Sequence, residues 1–125
     1  MSFCTAINCM DGRVQLPVIR YLQARFGVSF VDTITEPGPN RILADRADVR
    51  TVQAILDRLA ISVQKHASVG IAVVGHHDCA GNPAPREAQI LHLQEAVRFL
   101  QTHYPTLPIL ALWVDENWTV TEIPT

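Results

Sequence analysis

The sequence of 125 residues contains no long apolar run and only one lysine. No segment approaches the roughly 20 apolar residues that a helix needs to cross a bilayer. The nine arginines are spread along the chain and the formal net charge is −2, so no basic patch marks a nucleic-acid surface. We therefore expect neither a membrane nor a nucleic acid as a partner.

The first residues, MSFCTAIN, lack the basic and apolar segments of an export signal, which predicts a cytoplasmic protein. Cysteine is also scarce, and its three occurrences, Cys4, Cys9 and Cys79, are an odd number. A disulfide framework is therefore not expected, and roles of cysteine in metal binding or catalysis gain weight. Cys4 and Cys9 would point to opposite faces of a strand, so a redox pair between them is not expected either.

Composition favours one compact domain over residues 1–125. Hydrophobic residues make up 48% and charged residues 18% of the chain, which is enough apolar surface to offset the entropy lost by an ordered chain. The length suits one core and is short for two. The sequence has no internal repeat and no low-complexity segment.

Hydrophobic periodicity predicts strands that alternate with helices. The predicted strands are residues 3–8, 28–35, 69–75 and 108–114, with a last short strand at 118–123, and the predicted helices are residues 15–26, about 48–63 and about 83–103. The first helix carries four apolar residues at helical spacing, Leu16, Ile19, Leu22 and Phe26. Residues 36–45, EPGPNRILAD, are predicted to form a long loop because two prolines and a glycine interrupt its start.

This alternation predicts an α/β fold, a three-layer doubly wound sandwich around a mostly parallel sheet of about five strands with an antiparallel edge strand. Such sheets bind ligands at the carboxyl ends of their strands. Two clusters of reactive side chains fall there. One is CMDGR, residues 9–13, after the first strand, and the other is HHDC, residues 76–79, after the third.

If the first and third strands are neighbours, Cys9, His76 and Cys79 converge on one point. Two thiolates and one imidazole are a ligand set that suits zinc. Three protein ligands leave the fourth tetrahedral position open, as in catalytic zinc sites, where the pKa of a bound water falls toward about 7. The alternative is that both cysteines are inert core residues, because free cysteine is among the most buried residue types.

Asp11 and Arg13 follow Cys9 closely, so the guanidinium can hold the carboxylate by a paired hydrogen bond. The carboxylate could then orient a zinc-bound water, or it could occupy the fourth position itself and close the site. The sequence leaves both arrangements open. It also leaves open a plain ion pair at a helix start, where an acidic residue is favourable in any case.

The two clusters resemble the signatures of one family. C-M-D-G-R and G-H-H-D-C-A-G are similar to the C-x-D-x-R and H-x-x-C motifs of the β-class carbonic anhydrases, and the order of predicted elements resembles the family over most of the chain. The resemblance implies that Cys9, His76 and Cys79 bind one Zn2+ per chain and that Asp11 and Arg13 form the catalytic dyad of a lyase. It further implies reversible hydration of carbon dioxide to bicarbonate by zinc-bound hydroxide, in a homodimer or higher homo-oligomer.

The sequence departs from the family around these motifs. The family usually has N-terminal helices that contribute to the pocket, whereas here the first strand begins almost at Met1. The segment TITEPGPNRIL has no close match in the family, and Gly12, Ala80 and Asn82 change the surroundings of the two motifs. These changes leave the predicted ligands in place and leave the choice of substrate open. The alternatives are therefore a zinc hydrolase of carbonyl sulfide or carbon disulfide on the same fold, and a non-catalytic zinc-binding protein closed by Asp11.

Further polar and aromatic residues have predicted places around this site. His77 and Asp78 are predicted to be turn residues whose side chains point away from the site, and the alternative for His77 is a role as proton shuttle. Asn40 and Arg41 come just after the second strand and could face the substrate or a partner's site. The remaining predictions are surface positions for His66, His92 and His103, and core or dimer contacts for Trp113 and Trp118.

Overall fold

The computed structural model of this protein describes residues 2–125 and contains one five-stranded sheet. In chain order the strands are β1 (Phe3–Cys9), β2 (Phe30–Glu36), β3 (Ile71–His76), β4 (Ile109–Val114) and β5 (Val120–Ile123). They lie side by side in the order β2-β1-β3-β4-β5, with β1 to β4 parallel and β5 antiparallel to β4. The predicted mostly parallel sheet with an antiparallel edge strand is confirmed.

Helices cover both faces of this sheet. Helix α1 (Gln15–Phe26) packs on one face, where Val18 and Leu22 join a buried cluster with Ala6, Ala72 and Val74 of the strands. The other face carries α2 (Pro39–Asp45), α3 (Val49–Lys65) and α4 (Arg86–His103), which pack on Ile7 and Val73. Neighbouring strand residues thus point to opposite cores, and the three-layer arrangement follows.

Helix α2 corrects the prediction of a loop over residues 36–45. The chain is irregular only at Pro37 and Gly38, and Gly38 has the left-handed φ of 64°. Pro39 then occupies the start of the helix, where its fixed φ suits the first turn and its missing N–H costs no hydrogen bond. Leu43 is fully buried in the core, so tertiary packing stabilises this helix. The proline and glycine residues at its start had indicated a loop instead.

The buried face of α1 also differs from the predicted one. Leu16 is 58% exposed, while Val18 and Leu22 are fully buried. These two residues are four positions apart and so lie on one side of the helix, facing the sheet. Helical spacing predicted the helix correctly and its buried face only in part.

The pairing of β1 with β3 brings the two reactive clusters together. The strands run in parallel with Ala6 opposite Ala72, so both end at the same edge of the sheet. All six residues of β3 are buried, as expected for a strand covered on both faces. Nowhere in residues 2–125 is there a helix with the length and apolar character needed to span a bilayer.

Candidate metal centre

Three potential metal ligands meet where β1 and β3 end. Cys9 closes β1, His76 closes β3, and Cys79 follows in the next turn. The two Sγ atoms are 3.8 Å apart, and the ligand atoms of all three side chains lie within 4.8 Å of one another. All three residues are buried. The structure therefore gathers the predicted Cys–His–Cys set at one point.

The imidazole of His76 is oriented as a metal ligand would be. Its Nδ1 lies 2.7 Å from the carbonyl oxygen of His77, and since a carbonyl only accepts, Nδ1 is the donor. The neutral ring then carries its free lone pair on Nε2, which is buried and has no hydrogen-bond partner in the described part of the chain. An unpaired buried acceptor costs about 1–3 kcal/mol, a penalty that coordination of a metal removes.

In the metal-free protein the pKa values of the two thiols are shifted in opposite directions. The hydrogen bond from Cys79 lowers the pKa of Cys9, and the same hydrogen bond, with burial, raises the pKa of Cys79. The main-chain amides of Gly38 and Asp11 act to lower the pKa of Cys9, and those of Asn82 and Gly81 act to lower that of Cys79. A bound cation would allow both sulfurs to ionise together, as thiolate ligands do. The donor set and its amide surroundings fit zinc.

Asp11 and Arg13 form the paired hydrogen bond that their spacing predicts. Arg13 Nη2 lies 2.7 Å from Asp11 Oδ2 and Nε lies 3.1 Å from Oδ1, while the main-chain N–H of Arg13 donates to Oδ1 at 2.9 Å. These hydrogen bonds lower the pKa of Asp11 to about 2. The carboxylate is therefore ionised at neutral pH and held in one orientation.

Arg13 makes three further contacts. Its Nη1 lies 3.2 Å from Asp78 Oδ2, its Nη2 donates to the Asp78 carbonyl oxygen at 3.1 Å, and its guanidinium lies 4.6 Å from the ring centre of Trp118. Asp78 is a turn residue, as predicted, with a φ of 57°, but its side chain contacts Arg13 instead of pointing away from the site. The role of Trp118 at this site was not predicted, because its contact with Arg13 depends on how the β4–β5 turn folds back. Trp113, by contrast, is buried.

A buried amide network supports the turn that follows Cys79. The Gln89 side chain donates to the carbonyl oxygens of His76 and Asn82, and it accepts from Asn40 Nδ2 at 3.2 Å. Asn82 Nδ2 in turn donates to Asn40 Oδ1. Asn40 is 1% exposed, so it lies inside this network, which is at odds with the expectation that it faces substrate. Gln89 was missed, although it lies one turn before Leu93 on the buried stripe of α4.

The remaining candidates have simpler places. His66 and His103 are exposed, as predicted, whereas His92 is half-buried, with its Nδ1 lying 3.0 Å from Asn82 Nδ2. His77 is exposed, and its role as a proton shuttle stays a prediction. Arg41 is exposed and pairs with an acidic residue of its own helix, Asp45.

The fold and the site together define a class, an α/β protein with a Cys–His–Cys cluster and a fixed Asp–Arg pair at the carboxyl edge of a parallel sheet. Comparison with known families agrees with this class. The model of the family described as "Putative carbonic anhydrase" matches residues 1–124, and the chain belongs to that family. No curated protein sequence matches the chain significantly.

Solved structures share the fold at low sequence identity. The β-carbonic anhydrase isoform I of Trichomonas vaginalis superposes with a TM-score of 0.66 at 16% identity, covering 96% of this chain and 81% of that one. The carbonic anhydrase of Glaciozyma antarctica gives 0.65 at 16% identity, covering 97% and 81%. Tetrameric β-carbonic anhydrases of Sordaria macrospora give 0.61 at 12% identity, covering 98% and 80%. The chain thus has the β-carbonic anhydrase fold.

Proposed function

We propose that this protein catalyses the reversible hydration of carbon dioxide to bicarbonate at one zinc ion held by Cys9, His76 and Cys79. The observation that carries the proposal is the buried Nε2 of His76, which has a free lone pair and no partner within residues 2–125 and lies beside two thiols. Family membership supports it. A bound zinc would supply a water acidified toward a pKa of about 7, a general property of catalytic zinc sites that carbonic anhydrases share.

Residues of the chain would orient the reacting water and shield the metal ligands. Asp11, ionised and fixed by Arg13, can accept a hydrogen bond from the reacting water and orient its lone pair toward carbon dioxide. Arg13 keeps that carboxylate in place and pairs its charge. Burial of His76 and both cysteines shields the ligands from bulk water.

A hydrolase of carbonyl sulfide or carbon disulfide would use the same residues in a pocket of different shape. Release of hydrogen sulfide from either compound, faster than hydration of carbon dioxide, would favour that alternative. A non-catalytic zinc protein would require Asp11 to leave Arg13 and bind the metal. The pairing of Asp11 with Arg13 through two side-chain hydrogen bonds argues for the open site.

We also propose a homodimer or a larger homo-oligomer. Strand β2 lies at one edge of the sheet, and Phe30 on β2 and Ile61 on α3 are large apolar residues that are 45% and 58% exposed. Apolar surface next to an unpaired strand edge is commonly covered by a second copy. Light scattering coupled to size-exclusion chromatography tests this point, and a monomer at all concentrations would contradict it. The cytoplasmic location and the extent of the domain over residues 1–125 stay predictions.

Two measurements on the purified protein test the function. The first is zinc content by elemental analysis, for which we expect one zinc per chain. The second is stopped-flow hydration of carbon dioxide at about pH 7 and about pH 8.5, where turnover should be higher at the higher pH because a catalytic zinc would supply a water with a pKa of about 7. Zinc without turnover at either pH would reject the proposed activity, and absence of zinc would reject the site.

A further inference from the structure

Besides its paired hydrogen bond with Asp11, Arg13 contacts Asp78 and Trp118. We propose that Trp118, together with Asp78, is a positioning residue that fixes the guanidinium of Arg13, and through it the carboxylate of Asp11, at the candidate site. This inference rests on the proposed function for its effect on turnover. Its effect on Arg13 itself can be measured separately.

The first argument is geometric. A guanidinium is planar, with N–H donors along its edges and two open faces. Nε and Nη2 of Arg13 donate to Asp11, Nη1 and Nη2 donate to Asp78, and Cζ lies over the Trp118 ring, 4.6 Å from its centre. Contacts on the edges alone allow the plane to tilt. An aromatic ring 4.6 Å from Cζ restricts that freedom.

The second argument is the backbone of Trp118. Its φ is 60°, which is uncommon for a bulky residue and costs free energy. The turn enforces this conformation, because Asp115 Oδ1 accepts the N–H groups of Asn117 and Thr119 at 2.9 Å each, and the Trp118 N–H donates to the Asp115 carbonyl oxygen. A strained turn that brings an indole ring onto Arg13 suggests that the contact has a use.

The third argument concerns the relative weight of the two contacts. The ion pair between Arg13 and Asp78 is exposed, with side chains 45% and 71% accessible, and exposed pairs contribute little. The ring of Trp118 is partly buried against the apolar cluster that contains Val14 and Val114. Trp118 is therefore the stronger constraint, and Asp78 assists it. The contacts join Arg13, just after β1, to the turn after β3 and to the β4–β5 turn.

The test compares Trp118→Leu with the conservative change Trp118→Phe in the zinc-loaded protein. Loss of a partly exposed cation–π contact should lower kcat/KM about two- to fivefold in Trp118→Leu, with recovery in Trp118→Phe. In an Arg13→Ala background Trp118→Leu should have no further effect, because the group that the ring positions is gone. Additive losses would mean general destabilisation and would overturn the inference.

A matched control is Phe99→Leu, which removes a ring from beneath another arginine, Arg46, whose guanidinium lies 4.8 Å from the ring centre. This pair belongs to the face of the sheet that carries α3 and α4. The control should leave kcat/KM unchanged at a temperature where all variants are folded. An equal loss in the control would count against a specific role for Trp118.

A second readout does not depend on turnover. In isotope-labelled protein, the Nε–Hε signal of Arg13 should exchange slowly with solvent in the unchanged chain and in Trp118→Phe, and faster in Trp118→Leu. If the unchanged chain does not hydrate carbon dioxide, the proposed function fails, and this signal still decides the positioning role. An Arg13 signal that Trp118→Leu leaves unaltered would reject that role whatever the activity.

Discussion

Gly81 packs backbone to backbone against Gly38. A Cβ atom added to Gly81 would lie 2.4 Å from the Pro37 carbonyl carbon and 2.8 Å from Gly38 N, which is closer than real side chains approach. This contact joins the start of α2 to the turn after Cys79. The main-chain amides of the same two glycines act to lower the pKa of the neighbouring thiols, Gly38 that of Cys9 and Gly81 that of Cys79. The Cys–His–Cys cluster thus lies between two loops whose close contact leaves no room for a side chain at Gly81.

Replacing Gly81 by alanine should therefore disturb the metal centre. The backbone atoms that meet the new Cβ cannot move without shifting the amides that face the sulfurs, so we expect weaker zinc binding and lower stability. Chelator competition and chemical unfolding measure the two effects. Gly12→Ala is the control, since a Cβ atom there meets nothing within 4 Å. Equal zinc affinity in both variants would show that the loop contact is unimportant.

Removing a predicted ligand should release the metal. Cys79→Ala and His76→Ala each leave two ligands, so we expect loss of zinc and of the stability that zinc binding adds to the folded state. Elemental analysis and unfolding with and without a chelator measure both. Cys4→Ala is a matched control, because Cys4 is also a fully buried cysteine of β1 but lies outside the cluster. It should retain zinc. Full zinc occupancy in Cys79→Ala would refute the assignment of the site.

Asp11→Asn separates metal binding from catalysis. An asparagine side chain has one oxygen and no charge, so it cannot accept the paired hydrogen bond that Arg13 donates to Asp11. It also lacks the carboxylate that would orient the reacting water. We expect full zinc content and a loss of turnover of about a hundredfold or more. Asp45→Asn, which alters an exposed pair with Arg41, should keep activity. If Asp11→Asn lost zinc instead, the carboxylate would be a ligand and the closed site would be favoured.

The Cys–His–Cys cluster could be predicted from the sequence because its signal is local. Cys9 and His76 each end a strand with a strong apolar pattern, and parallel strands bring such ends to one edge. The Asp11–Arg13 pair is local too, since its partners are two positions apart in the sequence. The paired motifs then needed only one long-range assumption, that β1 and β3 are neighbours, and the sheet order confirms it.

The surroundings of the cluster could not be predicted, because they depend on distant packing. Helix α2 was not predicted because Pro37, Gly38 and Pro39 indicate a loop, and it is stabilised by Leu43 in the core. Trp118 reaches Arg13 only because a turn at the far end of the chain adopts a positive φ. Gln89 contacts carbonyl groups that become buried neighbours only in the folded chain. The spacing of residues in the sequence does not indicate such long-range contacts.

The cap of α3 gives the protein a pH-dependent contribution to stability. Asp48 accepts hydrogen bonds from the N–H and the hydroxyl of Thr51, and these lower the pKa of its carboxyl below the usual value. A pKa that is lower in the folded state adds stability above the unfolded pKa of about 4, and this stability is lost as the pH falls. Asp48→Asn keeps an acceptor for the N–H but not the charge. It should be less stable at about pH 7, with a smaller difference at about pH 3. Urea unfolding at both values measures this, and a difference that grew at low pH would contradict it.

Gln89 offers a test of how far the metal centre depends on residues behind it. Gln89→Leu keeps the apolar stem in α4 but leaves the carbonyl oxygens of His76 and Asn82 without their donor. Because those carbonyls belong to the ends of the loop that carries Cys79, we expect zinc affinity to fall by about 10- to 100-fold. Gln94→Leu, on the same helix but bonded to Pro124 near the C-terminus, is the control and should bind zinc normally. Chelator competition decides between the variants. If both bound zinc like the unchanged chain, the buried amides would serve the fold alone, and the turn after His76 would hold its shape through the sheet and the contact with Gly38.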